Sequence, residues 1–112
     1  MSDDPYWQLI LDHCAADYTG LWLAVAELRL ATGGAIDFRR ILEILYGLLN
    51  SGMLQAGVPT ADGGFEPWSL PPEEVTARIE EEWKRLGRDP DLGEIVWFAM
   101  TGKDARRARP AA

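Results

Sequence analysis

A chain of 112 residues with 47% hydrophobic content has room for one domain with a modest core. Its most apolar run, Gly20 to Ala26, ends at Glu27 and falls far short of the roughly 20 residues a membrane helix needs, so a membrane-spanning reading is excluded. The lone Cys14 cannot form an internal disulfide and the N-terminus lacks a leader-like pattern, which makes the cytoplasm the expected compartment.

Asp4-Pro5 is a helix start, because proline is tolerated where its missing N–H had no partner, and the first helix is expected to run to about Ala16. Tyr6, Leu9, Ile10 and His13 form one stripe and Trp7, Leu11 and Cys14 a second, so this helix is apolar around much of its girth. Asp17 to Gly20 reads as a break. Leu21, Trp22, Val25 and Leu28 then give a second helix, with Trp22 expected in the core, before Thr32-Gly33-Gly34 stops it. Ala35 and Ile36 suit a brief extended segment.

Asp37 to Val58 is the organising stretch. The Asp37 carboxylate caps the free N–H groups of a first turn, and Phe38, Ile41, Leu42, Leu45, Leu48 and Leu49 recur at three- and four-residue spacing. Gly52 ends the helix in the left-handed conformation that only glycine adopts without steric cost, and Met53 to Val58 follows as a strand. Pro59 to Gly64 is turn chemistry, and Phe65 to Trp68 returns as a short strand. Ser69 to Pro72 opens a fourth helix with Glu73 and Glu74 in its first turn and Val75, Ile79, Trp83 and Leu86 as its buried stripe. Glu80 with Lys84 and Glu81 with Arg85 are pairs one turn apart. After the Gly87 cap, Glu94 to Thr101 is the best strand candidate, expected to pair antiparallel with Met53 to Val58.

The expected fold is therefore α+β and winged-helix-like: three N-terminal helices, a small antiparallel sheet and an inserted fourth helix. It would occupy residues 1–102 as a single domain, with 103–112 a basic, disordered tail. Lys103, Arg106, Arg107 and Arg109 against Asp104 give that tail +3, which taken from the overall −7 leaves residues 1–102 at −10. Such a body repels phosphate and favours basic partners.

No catalytic, cofactor or metal motif stands out, and none of these functions is expected. His13 and Cys14 are helix neighbours whose side chains point about 100° apart, so they cannot act as base and nucleophile together. His13 and Asp17 lack the third ligand of a usual metal site. Glu80, Glu81 and Glu82 read as a solvated face, and Gly63-Gly64 lacks the lysine of a phosphate loop. Five tryptophans in a short acidic chain suggest protein binding instead, with Trp7, Trp68, Trp97, Asp62 and Glu66 as the candidate contact residues. The expected partner is a protein with a basic surface; a second copy of the chain is the other option.

Nucleic acid is the competing partner. Arg39, Arg40, Tyr46 and Asn50 lie on the polar side of the third helix, where a winged-helix regulator reads DNA. Yet no Lys, Arg or His occurs from Ile41 to Ala77, while Asp62 and Glu66 sit where a wing would meet phosphates. DNA binding is therefore the alternative reading.

Tyr6, Leu21-Trp22, Phe38, Leu48-Leu49 with Gly52, Gly64-Phe65, Glu73-Glu74 and Trp97-Phe98 occur in an order that resembles a small bacterial family of uncharacterised proteins. This domain of unknown function is sometimes found near polymorphic-toxin genes. The likeness spans nearly the whole chain through hydrophobic and glycine landmarks, and departs from the family's cysteine and proline at Ala99-Met100-Thr101. It implies a non-enzymatic cytoplasmic protein, by gene company an immunity protein that occupies a toxin.

Overall fold

A computed structural model describes residues 5–101; the expected basic tail lies outside them. Helices α1 (Pro5–Ala16), α2 (Leu21–Ala31), α3 (Phe38–Asn50) and α4 (Pro72–Leu86) accompany strands β1 (Thr19–Gly20), β2 (Leu54–Pro59), β3 (Phe65–Pro67) and β4 (Trp97–Met100). The strands form one antiparallel sheet in the order β1-β4-β2-β3. This is an α+β fold. As expected, β4 pairs with β2, and α4 lies in the connection between them.

Helix α3 is built as its spacing dictates. The Asp37 carboxylate accepts the Arg40 N–H at 2.8 Å, and Ile41, Leu42, Ile44, Leu45, Leu48 and Leu49 are buried. Gly52 takes φ 85°, and its N–H meets the Leu49 carbonyl at 3.2 Å. The core joins these side chains to Ile10 and Cys14 of α1, Leu21, Val25 and Leu28 of α2, Val75, Ile79 and Trp83 of α4, and Phe98 of β4. Fully burying each large apolar side chain stabilises the fold by about 1.5–3 kcal/mol. Phe38 meets Trp83 edge-on at 4.7 Å between ring centroids, which docks α4 on α3.

Several details differ from the sequence reading. The extra strand comes from Thr19–Gly20, not from Ala35 and Ile36, because β4 offers its free edge to the residues leaving α1. Strand β4 starts at Trp97 rather than Glu94. The Val96 N–H bonds back to the Glu94 carbonyl at 3.0 Å around Ile95 at φ 73°, a three-residue turn that ends the extended run. Leu86 is half-buried at the end of the α4 stripe.

The largest difference is Trp22, which does not enter the core. Directly paired residues share a sheet face, so Leu54, Ala56, Phe98 and Thr19 face the helices while Gln55, Gly57, Trp97 and Gly20 face away. Trp22 folds over Gly20, where a Cβ would lie 1.7 Å from its ring, and meets Trp97 edge-on at 4.9 Å. Both tryptophans are half-buried and cover the outer face of the sheet.

Candidate functional site

A cleft of about 310 Å³ opens between the last turn of α1, the β2–β3 turn and the end of β4. Tyr18 forms its central wall. The Tyr18 ring packs against Phe65 at 5.0 Å and its hydroxyl donates to the Gly63 carbonyl at 3.1 Å, tying the α1–β1 joint to a turn 45 residues away. Asp17, Gln55, Ala99 and Met100 complete the lining, with Cys14 at the floor.

The chemistry of this cleft is that of hydrogen-bond acceptors. The Asp17 carboxylate accepts its neighbour Tyr18 N–H through Oδ1 at 2.7 Å, and the Gln55 amide nitrogen leans on the Met100 carbonyl at a long 3.5 Å. Ala15 and Ala16 also line it, and the carbonyls of a helix's last turn have no donor within the helix. The C-terminal end of α1, the negative end of its dipole, thus borders the cleft. Burial, opposed by a hydrogen bond with Thr19, pushes the Cys14 thiol up to about 11, so it stays protonated at neutral pH. That is the wrong state for a nucleophile. His13 lies 3.6 Å from Glu27 of α2, outside the cleft lining.

The electrostatic setting is set by where the cations lie. Every lysine and arginine among the described residues is paired: Arg29 with Asp89, Arg39 and Lys84 with Glu80, Arg40 with Glu43, Arg78 with Glu82, Arg85 with Glu81 and Arg88 with Glu94. All of them belong to the end of α2, the start of α3, α4 and the residue that follows α4's cap. By contrast, residues 5–28, 41–77 and 89–101 contain neither lysine nor arginine, and these are the runs that build the sheet and the cleft. All three runs are legible in the sequence, whereas their common place in the fold is set by tertiary structure.

The candidate contact residues fall into separate places. Asp62 is exposed in the β2–β3 turn beside the cleft, where the Thr60 hydroxyl and the Gly64 N–H at 3.1 Å hold its carboxyl below the usual carboxylate range. Glu66 is exposed on β3, opposite Val58. Trp97 lies on the outer sheet face, in register with Gly57 and so with Pro67 beside Glu66. Trp7 instead packs on α3, where a Cβ on Gly47 would come within 2.6 Å of its ring, and is half-buried. Trp68 is half-buried beneath the Arg78 guanidinium, 4.0 Å from its ring centroid. Asp62, Glu66 and Trp97 thus share the sheet end of the molecule, while Trp7 and Trp68 bind helices. Sequence reasoning missed Tyr18, Gln55 and Phe65, whose meeting depends on long-range pairing.

The residues offered for DNA contact are differently placed. Arg39, Tyr46 and Asn50 are exposed on α3 and Arg40 is half-buried there. Alongside them runs α4: Arg39 and Tyr46 share a groove with Glu43, Thr76 and Glu80. Glu80 bridges Lys84 at 2.9 Å and Arg39 at 3.1 Å, which holds its carboxyl below the usual range.

Compared with protein-family models, with curated proteins and with solved structures, the chain matches none. Among the described residues no helix is long and apolar enough to cross a membrane.

Proposed function

We propose that this domain is a non-enzymatic protein-binding module whose sheet end, formed by the sheet, the β2–β3 turn and the last turn of α1 and without lysine or arginine among its described residues, engages a basic protein. The pairing of every described lysine and arginine, all of them carried by α2, α3, α4 and the residue after its cap, carries this reading. Asp17, Asp62 and Glu66 are left with no cationic partner among the described residues, and a basic surface supplies one. Complementary charge of this kind speeds encounter and disfavours wrong partners. A toxin-neutralising role in the cytoplasm is the setting that the family resemblance implies, and an acidic face suits a partner with a basic working surface. The protonated Cys14 thiol supports the non-enzymatic part.

The alternative, a winged-helix DNA-binding regulator, draws on the element order, with β1 between α1 and α2 and β2 directly after α3. Against it, Glu43 and Glu80 occupy the cations that would have to neutralise phosphates. Two measurements separate the readings. Affinity capture of the tagged protein from nuclease-treated lysate of its source should yield one stoichiometric protein of basic isoelectric point. Fluorescence anisotropy with duplex DNA at 50 mM salt should show no binding. Recovery of the chain alone, together with salt-dependent DNA binding, reverses the assignment.

A further inference from the structure

We infer that the cleft beside Tyr18 is the seat of an arginine side chain presented by the basic partner, which makes it the specificity pocket of the binding face. The inference rests on the protein-binding reading and adds to it the identity of the anchor residue.

Three independent features converge on a guanidinium. The cleft offers a carboxylate at Asp17, whose Oδ1 is engaged only by the adjacent Tyr18 N–H, and an amide at Gln55 whose oxygen meets no donor among the described residues. Ala15 and Ala16 of the last α1 turn line the cleft beside them, at the negative end of the helix dipole. Several acceptors set around one space call for a group with several donors, and arginine carries five in a fixed plane. The second feature is the wall. Tyr18 and Phe65 present aromatic rings in the lining, and a guanidinium stacks on such faces where a hydrated ammonium does so less well. The third is charge. No lysine or arginine occurs in any of the segments lining the cleft, so nothing in the described chain competes for the place. An anion would meet the helix dipole and Asp17 with the wrong sign. A volume of about 310 Å³ accommodates the end of one long side chain but not a folded element.

The test uses the full chain labelled with ¹⁵N and three defined probes: arginine amide, its uncharged isostere citrulline amide, and a hexa-arginine peptide. Arginine amide should shift the backbone amides of Tyr18, Gln55, Gly63 and Ala99, and citrulline amide should not. Asp17→Asn should weaken the arginine amide titration by about fivefold, the size expected for one half-exposed charged contact. Gln55→Leu serves as a second variant should the first perturb the fold, which a thermal melt would reveal, and it should weaken the titration in the same direction. Equal shifts with citrulline amide overturn the inference. Shifts confined to Asp62 and Glu66 also overturn it while leaving the reading of a cation-binding face intact. Silence with both arginine amide and hexa-arginine removes the inference and that reading together.

Discussion

Cys14 shows how one side chain separates structural from chemical roles. The thiol is 6% exposed, packed in the core cluster, and pushed up to about 11 by burial. A thiol whose folded pKa lies above its ordinary value of 9.0 keeps its proton in the native state while the unfolded chain loses it. Stability from this site is therefore complete below about pH 9 and declines as pH rises from there toward 11, by about 2–3 kcal/mol in all. Urea melts of the wild type and Cys14→Ala across this range should show the decline in the wild type only, on top of whatever both share. Iodoacetamide should label the native thiol at pH 8 at least about a hundredfold more slowly than the unfolded chain, since about a hundredfold less thiolate is present and access is restricted. Equal labelling rates would place the thiol at the surface and reopen it as a reactive group.

The elements were legible wherever local chemistry fixes them. Asp37, the α3 spacing and Gly52 specify helix, face and stop within one stretch of chain, and the pairing of β2 with β4 follows from two strand-forming runs seeking partners. What stayed hidden depends on distant residues. Thr19–Gly20 is too short to announce a strand and becomes one only because β4 has a free edge. Trp22 carries the helical spacing of a core residue, yet its ring has room over Gly20, and a sequence gives no sign that a glycine two residues away is a docking surface. The cleft was illegible for the same reason: Tyr18 and Gly63 meet through tertiary structure alone. These glycines make the argument testable. At Gly57 a Cβ would stand 2.2 Å from the Glu66 carbonyl oxygen, a backbone atom of the paired strand that cannot turn aside. Gly57→Ala should therefore force β2 and β3 apart and cost about 1–3 kcal/mol, the usual range for overpacking. In Gly20→Ala the obstacle is the Trp22 ring, which can swing outward. That variant should show red-shifted tryptophan emission with a smaller loss in melting temperature. Similar melts and unchanged emission for both would mean that the outer sheet face is looser than this packing requires.

Across the whole molecule, charge is segregated rather than merely negative. The helical side, α3 and α4 above all, carries both signs in pairs one turn apart or across helices, such as Arg39 with Glu80 and Arg85 with Glu81. Exposed pairs of this kind contribute at most about 1 kcal/mol each to stability, but they cancel one another's field at a distance. At the sheet end no lysine or arginine among the described residues pairs with Asp17, Asp62 or Glu66, so these carboxylates make the field there more negative than an even spread of the same charges would. Position, not total charge, should then govern attraction of a basic molecule. Replacing both Asp62 and Glu66 by lysine changes net charge by +4, as does replacing both Glu74 and Glu81 on the helical side. If the sheet end is the docking face, the first pair should lower the association rate with hexa-arginine at 20 mM salt by about tenfold or more, and the second by much less. Raising the salt to 0.5 M should bring the wild type down toward the first variant, because a Debye length of roughly 4–5 Å screens the field before contact. Equal slowing by the two double variants would show that only the total charge matters, and would remove the reason for assigning the partner to the sheet end.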